Sequence, residues 1–204
     1  DDLAGLLEPE DAELVRVIRL PCDNRNLLNL LASRTAPFDP NGNYDQDALR
    51  QALKKPDALP AYMEEFMQAH AAGRRIVPGV AFEDELNWLF YEWACSHDNA
   101  FVAAWFAFDL HLRNVAAAIN VRRRFEHLME RDQDYARCLS SCIICRNEVT
   151  AQLLKSTAPD FGLEQALPWI VDLVELPHED TLQREHTMDE LRWEKLDELT
   201  QCSG

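Results

Sequence analysis

An all-α fold is predicted for this 204-residue chain by three features. Apolar residues recur at three- and four-residue spacing in one segment after another. Glycine occurs only 6 times, so tight turns and glycine-lined loops are scarce. Only Arg74–Val80 has extended character, and it is too short to found a sheet. Hydrophobic residues make up 47% of the chain, enough for a proper core.

The elements follow in order. Residues 9–19 open on Pro9 with acids in the first turn, and Leu14, Val15 and Ile18 form one stripe. A second helix is expected over 23–33, capped by Asp23, with Leu27, Leu28, Leu30 and Leu31 on its apolar side. The segment from Pro37 to Tyr44 holds two prolines and an Asn-Gly pair and reads as turns. A short helix over 45–54 ends at Pro56, and Pro60 opens another that Gly73 closes in the left-handed conformation. From Phe82, Leu86, Leu89, Phe90 and Trp93 mark a helix that breaks at His97-Asp98-Asn99.

Residues 100–124 form the most hydrophobic helix, about 37 Å long at 1.5 Å per residue. Asp109, His111, Arg113 and Asn114 interrupt its centre, which argues for a buried spine and against a membrane span. Residues 126–134 are highly charged and lie near a helix end. One helix is expected over 135–155, then a connector over 157–162. Residues 163–176 read as a helix kinked or reopened at Pro168 and ended by Pro177. A final charged helix over 181–200 carries Leu182, Met188, Leu191, Leu196 and Leu199 as contact residues and reads as partner-facing. The chain is read as a single helical domain over 1–204, with soft boundaries at 34–45 and 74–80. It starts at Asp1 without a methionine, and truncation at both ends is expected.

Charge narrows the function classes. Lys plus Arg total 20 against 36 Asp plus Glu, a formal charge of -16. Such a chain repels phosphate backbones, so nucleic acid is not the expected partner. The six cysteines are expected to be reduced thiols. Cys138, Cys142 and Cys145 would share one helix face, where core packing competes with a metal site completed by His127 or Cys95. His178-Glu179-Asp180 reads as a helix cap, with a divalent-metal site as the sharper alternative. Asp109 and Arg113 are placed to pair, as an internal strut, a partner contact or, with a histidine, an enzymatic site. There is no phosphate-binding glycine loop, no serine elbow and no dinucleotide fingerprint.

Several stretches point further. They are Asp23-Asn24-Arg25-Asn26-Leu27-Leu28, the run from Phe38 to Tyr44, Leu59-Pro60-Ala61-Tyr62-Met63, and the run from Phe101 to Leu110. Asn147-Glu148-Val149, the run from Ala158 to Leu163, and Leu191-Arg192-Trp193-Glu194 follow. Together they resemble a Bacteroidetes-type bacterial family of uncharacterised proteins, encoded with V-type ATPase genes and treated as that complex's C-type (eukaryotic d-type) rotor component. The resemblance implies a funnel-like or irregular helical array with no catalysis, no cofactor and no metal. It implies a role in ion transport, of protons or sodium, linking the central stalk to the membrane rotor ring. The implied location is the cytoplasmic face of the inner membrane, as a peripheral member of a membrane complex. The expected contacts, chosen by chemistry, are Arg74, Arg75, Arg122, Arg123, Arg124, Trp105 and Trp193. The alternatives are a helical adaptor of another assembly and an acidic helical enzyme.

Overall fold

The computed structural model describes residues 8–55, 59–126, 133–177 and 181–201. Among these residues there are nine helices and no strand. In order they are α1 (Pro9–Leu31), α2 (Gln46–Ala52), α3 (Ala61–Ala71), α4 (Phe82–Cys95), α5 (Ala100–Arg124), α6 (Gln133–Cys142), α7 (Glu148–Lys155), α8 (Ile170–Val174) and α9 (Thr181–Gln201). The chain packs as two compact units, Asp1–Val102 and Ala103–Gly204, with the division inside α5. No described helix is long and apolar enough to cross a membrane.

In the first unit, α4 packs on α3 and α1, and α2 packs on α1. The two helices expected over 9–33 are one, with Pro21 in its interior. A proline inside a helix removes one hydrogen bond and costs about 3 kcal/mol. That cost is met because the inward stripe continues past it: Val17 and Leu20 before, Leu27 and Leu28 after, all buried. Ile18, assigned to the stripe from sequence, is 45% exposed. Asp23 therefore caps nothing and sits buried in mid-helix.

The shorter elements begin and end for local reasons. Asp45 caps α2 by accepting from the Ala48 N–H at 2.7 Å. Pro60 stands at the start of α3, and Gly73 follows its end at φ +65°, in the left-handed conformation expected there. The 74–80 segment is irregular. Tyr62 and Phe66 of α3 lie buried, and Tyr62 meets Phe90 and Trp93 of α4 at ring-centroid distances of 5.6 and 5.4 Å. Asn99, in the break after α4, accepts from the Val102 N–H and opens α5.

The second unit is built on α5. Phe108, Leu112, Val115, Ala118 and Ile119 line its buried side and pack with Leu139, Leu153, Phe161, Ile170 and Leu191. The single helix expected over 135–155 is two, α6 and α7. Asn147 caps α7 in a reciprocal box with Thr150, and Cys145 takes φ +59°, which no helix interior allows. The expected helix over 163–176 is mostly turns, with only α8 regular. α9 begins and ends close to where its pattern places it, and Leu182, one of its expected contact residues, is 82% exposed. Pro56, His127, the His178–Asp180 cap, Cys202 and residues 1–7 lie outside the described residues.

Candidate functional site

Polar motif residues of α1 hold the chain to itself. Asp23, Asn24 and Asn26 are all buried, and Asp23 and Asn26 bond to the turn segment. The Asp23 carboxylate accepts from the Asn43 N–H at 2.9 Å, the Asn43 carboxamide at 2.7 Å and the Tyr44 N–H at 3.2 Å. Burial pushes its carboxyl above the usual range, and the bonds from Asn43 and Tyr44 pull it back. The Asn26 carboxamide bonds both ways to the Asp39 backbone, each at 2.9 Å. Tyr62 donates to Asn24 at 2.8 Å. Gly42 is required beside Asp23, because a Cβ there would fall inside contact distance of Asp23 Oδ1.

Arg74 and Arg75 are both exposed but differ in their bonding. Arg75 donates to Glu85 at 2.8 Å and to the Val80 carbonyl, while the Ile76 and Val77 N–H groups donate to the same buried carboxylate at 2.6 and 2.7 Å. Glu85 thus anchors the 74–80 segment to the first turn of α4.

The basic run at the end of α5 separates in the same way. Arg122 donates to the carbonyls of Ser156, Ala158 and Pro159, and its guanidinium carbon lies 3.6 Å from the Phe161 ring centroid. Arg123 donates to the carbonyls of Leu173, Val174 and Leu176, closing the end of α8. Burial, then the charge of Arg184, lowers its pKa. Arg124 is exposed. Arg122 and Arg123 also line a cavity of about 310 Å³ with Phe125 and Tyr135. Their Nε and Nη1 atoms respectively are buried with no hydrogen-bond partner among the described residues.

Within the polar island of α5, Asn114 is part of the internal framework. Asn114 is fully buried and bonds the Ile144 backbone in both directions. Asp109 lies 3.8 Å from Arg192 of α9. His111 lines a groove of about 500 Å³ between α5, the 166–169 turn and α9, with Ala104, Trp169, Glu194 and Lys195. Burial holds its imidazole below the ordinary value.

Trp105 is half-buried, 6.1 Å from the Phe108 ring. Trp193 is 69% exposed on the outer side of α9. Cys22, Cys95, Cys138, Cys142 and Cys145 carry thiols outside any disulfide. The expected face of three thiols does not form, because Cys145 has left the helix. Among the described residues no three His, Cys, Asp or Glu side chains are grouped so as to hold a metal ion. The internal roles of Arg122 and Arg123 lie beyond sequence reading, because their acceptors are carbonyls 34 to 53 positions away.

These features define an all-α, multi-helix fold among the described residues. The chain belongs to the family described as Protein of unknown function (DUF2764), whose model matches residues 1–203. No curated protein and no solved structure matches it.

Proposed function

We propose that this chain is a non-catalytic helical component that serves an assembly through protein–protein contacts. The observation that carries the reading is α9, which turns a 69% exposed tryptophan and an 82% exposed leucine outward. Large exposed apolar side chains on a charged helix suit a docking element. A second support is the use of the buried polar groups. Asp23 and Asn26 of the first motif, with Glu85 and Asn114, are engaged in holding loops and so act as framework.

A narrower proposal names the assembly as a V-type ATPase or ATP synthase. In it the chain joins the central stalk to the membrane rotor ring at the cytoplasmic face, as the counterpart of the C-type or d-type rotor component. The ordered series of motifs from Asp23 to Glu194 favours it. Arg74, Arg124 and Trp193 are then the prime contacts, being exposed, while the equally exposed Arg75 is held by Glu85 and the Val80 carbonyl. Arg75, Arg122, Arg123 and Trp105 would act by shaping the surface around them.

Co-expression with V-type stalk and ring proteins, followed by size-exclusion chromatography and mass measurement, tests both proposals. A stoichiometric complex supports the rotor assignment. With all components folded, absence of a complex removes that assignment and leaves the adaptor reading to a partner screen.

A further inference from the structure

We infer that the outer face of α9 binds a basic amphipathic helix of another protein, with Trp193 seated in that helix's apolar stripe. The inference rests on the reading of the chain as an interaction component and adds the chemistry of the partner.

The face is defined by helical spacing. Leu182, His186, Asp189 and Trp193 stand four, three and four residues apart and so share one side of α9. The opposite side, with Thr187 and Leu191 buried, is the one turned into the second unit. Leu182 and Trp193 are the most exposed of the large apolar side chains described. They sit about 16 Å apart along the axis, three turns of a partner helix.

Charge selects the occupant. Glu185, Asp189, Glu190 and Asp197 are exposed on or beside this face of α9, whereas Glu194 and Glu198 turn toward the groove with His111. The helix's own cations are already engaged: Arg184 with Asn120 at 2.9 Å, Arg192 with Asp189 at 2.8 Å, and Lys195 with Glu198 at 2.9 Å. His186 lies 3.2 Å from Glu190. With Asp189 offset by Arg192, the face is apolar at two points and keeps the negative charge of Glu185 and Asp197 around them. A second copy meeting it across a two-fold axis would bring acid against acid. An anionic lipid surface would be repelled in the same way. A helix with lysine or arginine flanking a leucine stripe complements both features, the basic groups reaching the carboxylates while apolar side chains cover the indole.

The test uses the intact chain, labelled with ¹⁵N, and a synthetic helix of leucine and lysine at three-and-four spacing. The Trp193 indole resonance is assigned through Trp193→Phe. The expected result is saturable binding that shifts this resonance and weakens with added salt. Trp193→Ala, and separately Glu185→Gln with Glu190→Gln and Asp197→Asn, should each weaken binding about tenfold or more. A peptide of the same charge with serine for leucine should bind at least about tenfold more weakly. The inference is overturned if Trp193 is unmoved at saturation, if Trp193→Ala binds equally well, or if the resonance moves with chain concentration alone. A complex with stalk or ring proteins that survives both sets of substitutions overturns this inference while sustaining the assembly reading. Peptide binding as expected, with no assembly complex formed, does the reverse for the rotor assignment.

Discussion

Asn114 of α5 is bonded to Ile144 as one strand residue is to another. Its carboxamide donates to the Ile144 carbonyl at 2.8 Å, and its oxygen accepts from the Ile144 N–H at 3.1 Å. Both residues are fully buried. The segment between α6 and α7 thereby satisfies its backbone without belonging to either helix. Asn114→Leu keeps the branched shape and strands both backbone groups. It is expected to lower stability by about 2–4 kcal/mol, read as a shift in urea denaturation.

Gly42 and Asp23 make a coupled pair. Gly42→Ala would press a methyl group onto a carboxylate fixed by Asn43 and Tyr44. Asp23→Ala would leave those donors without their acceptor, at about 1–3 kcal/mol. The double variant should be less destabilised than the sum of the two, because removal of the carboxylate also removes the collision. A thermal-denaturation cycle showing simple additivity would contradict this contact.

His111 gives the second unit a pH dependence. Burial lowers its folded pKa below the ordinary imidazole value of about 6.5. The unfolded chain then binds the proton more tightly. The contribution to stability is present above about pH 6.5 and is lost as pH falls through the lower folded value. His111→Gln should flatten the stability profile in that window.

Arg123 and Arg124 are adjacent in sequence and differ in effect. Arg123→Ala removes the donor to three carbonyls at the end of α8 and should cost about 1–3 kcal/mol. Arg124→Ala removes an exposed side chain and should stay within about 0.5 kcal/mol. Circular dichroism melts of the two variants check the contrast.

Local patterns carried the helices that local forces decide. The limits of α5, the proline entry and glycine exit of α3, and the break at His97–Asn99 could all be read from spacing and cap residues. Where partners come from far along the chain, the reading diverged. Asp23 looks like a cap because the amides it accepts from, those of Asn43 and Tyr44, are 20 and 21 residues away. The break after α6 was hidden for the same reason, since Asn114 lies 30 residues before Ile144. Of the candidate contacts, chemistry alone picks out arginine and tryptophan. It cannot separate Arg124, which faces water, from Arg122, whose guanidinium is committed to three loop carbonyls.

The segment from Pro37 to Tyr44 has the composition of a surface connector, yet its amides are fastened to buried groups of α1. In hydrogen-exchange terms it should behave as part of the core. The Asp39, Asn43 and Tyr44 amides should exchange only when α1 itself detaches, and so report the opening of the first unit as a whole. A protease would meet the same barrier, so the chain's most turn-rich stretch should not be an early site of cleavage.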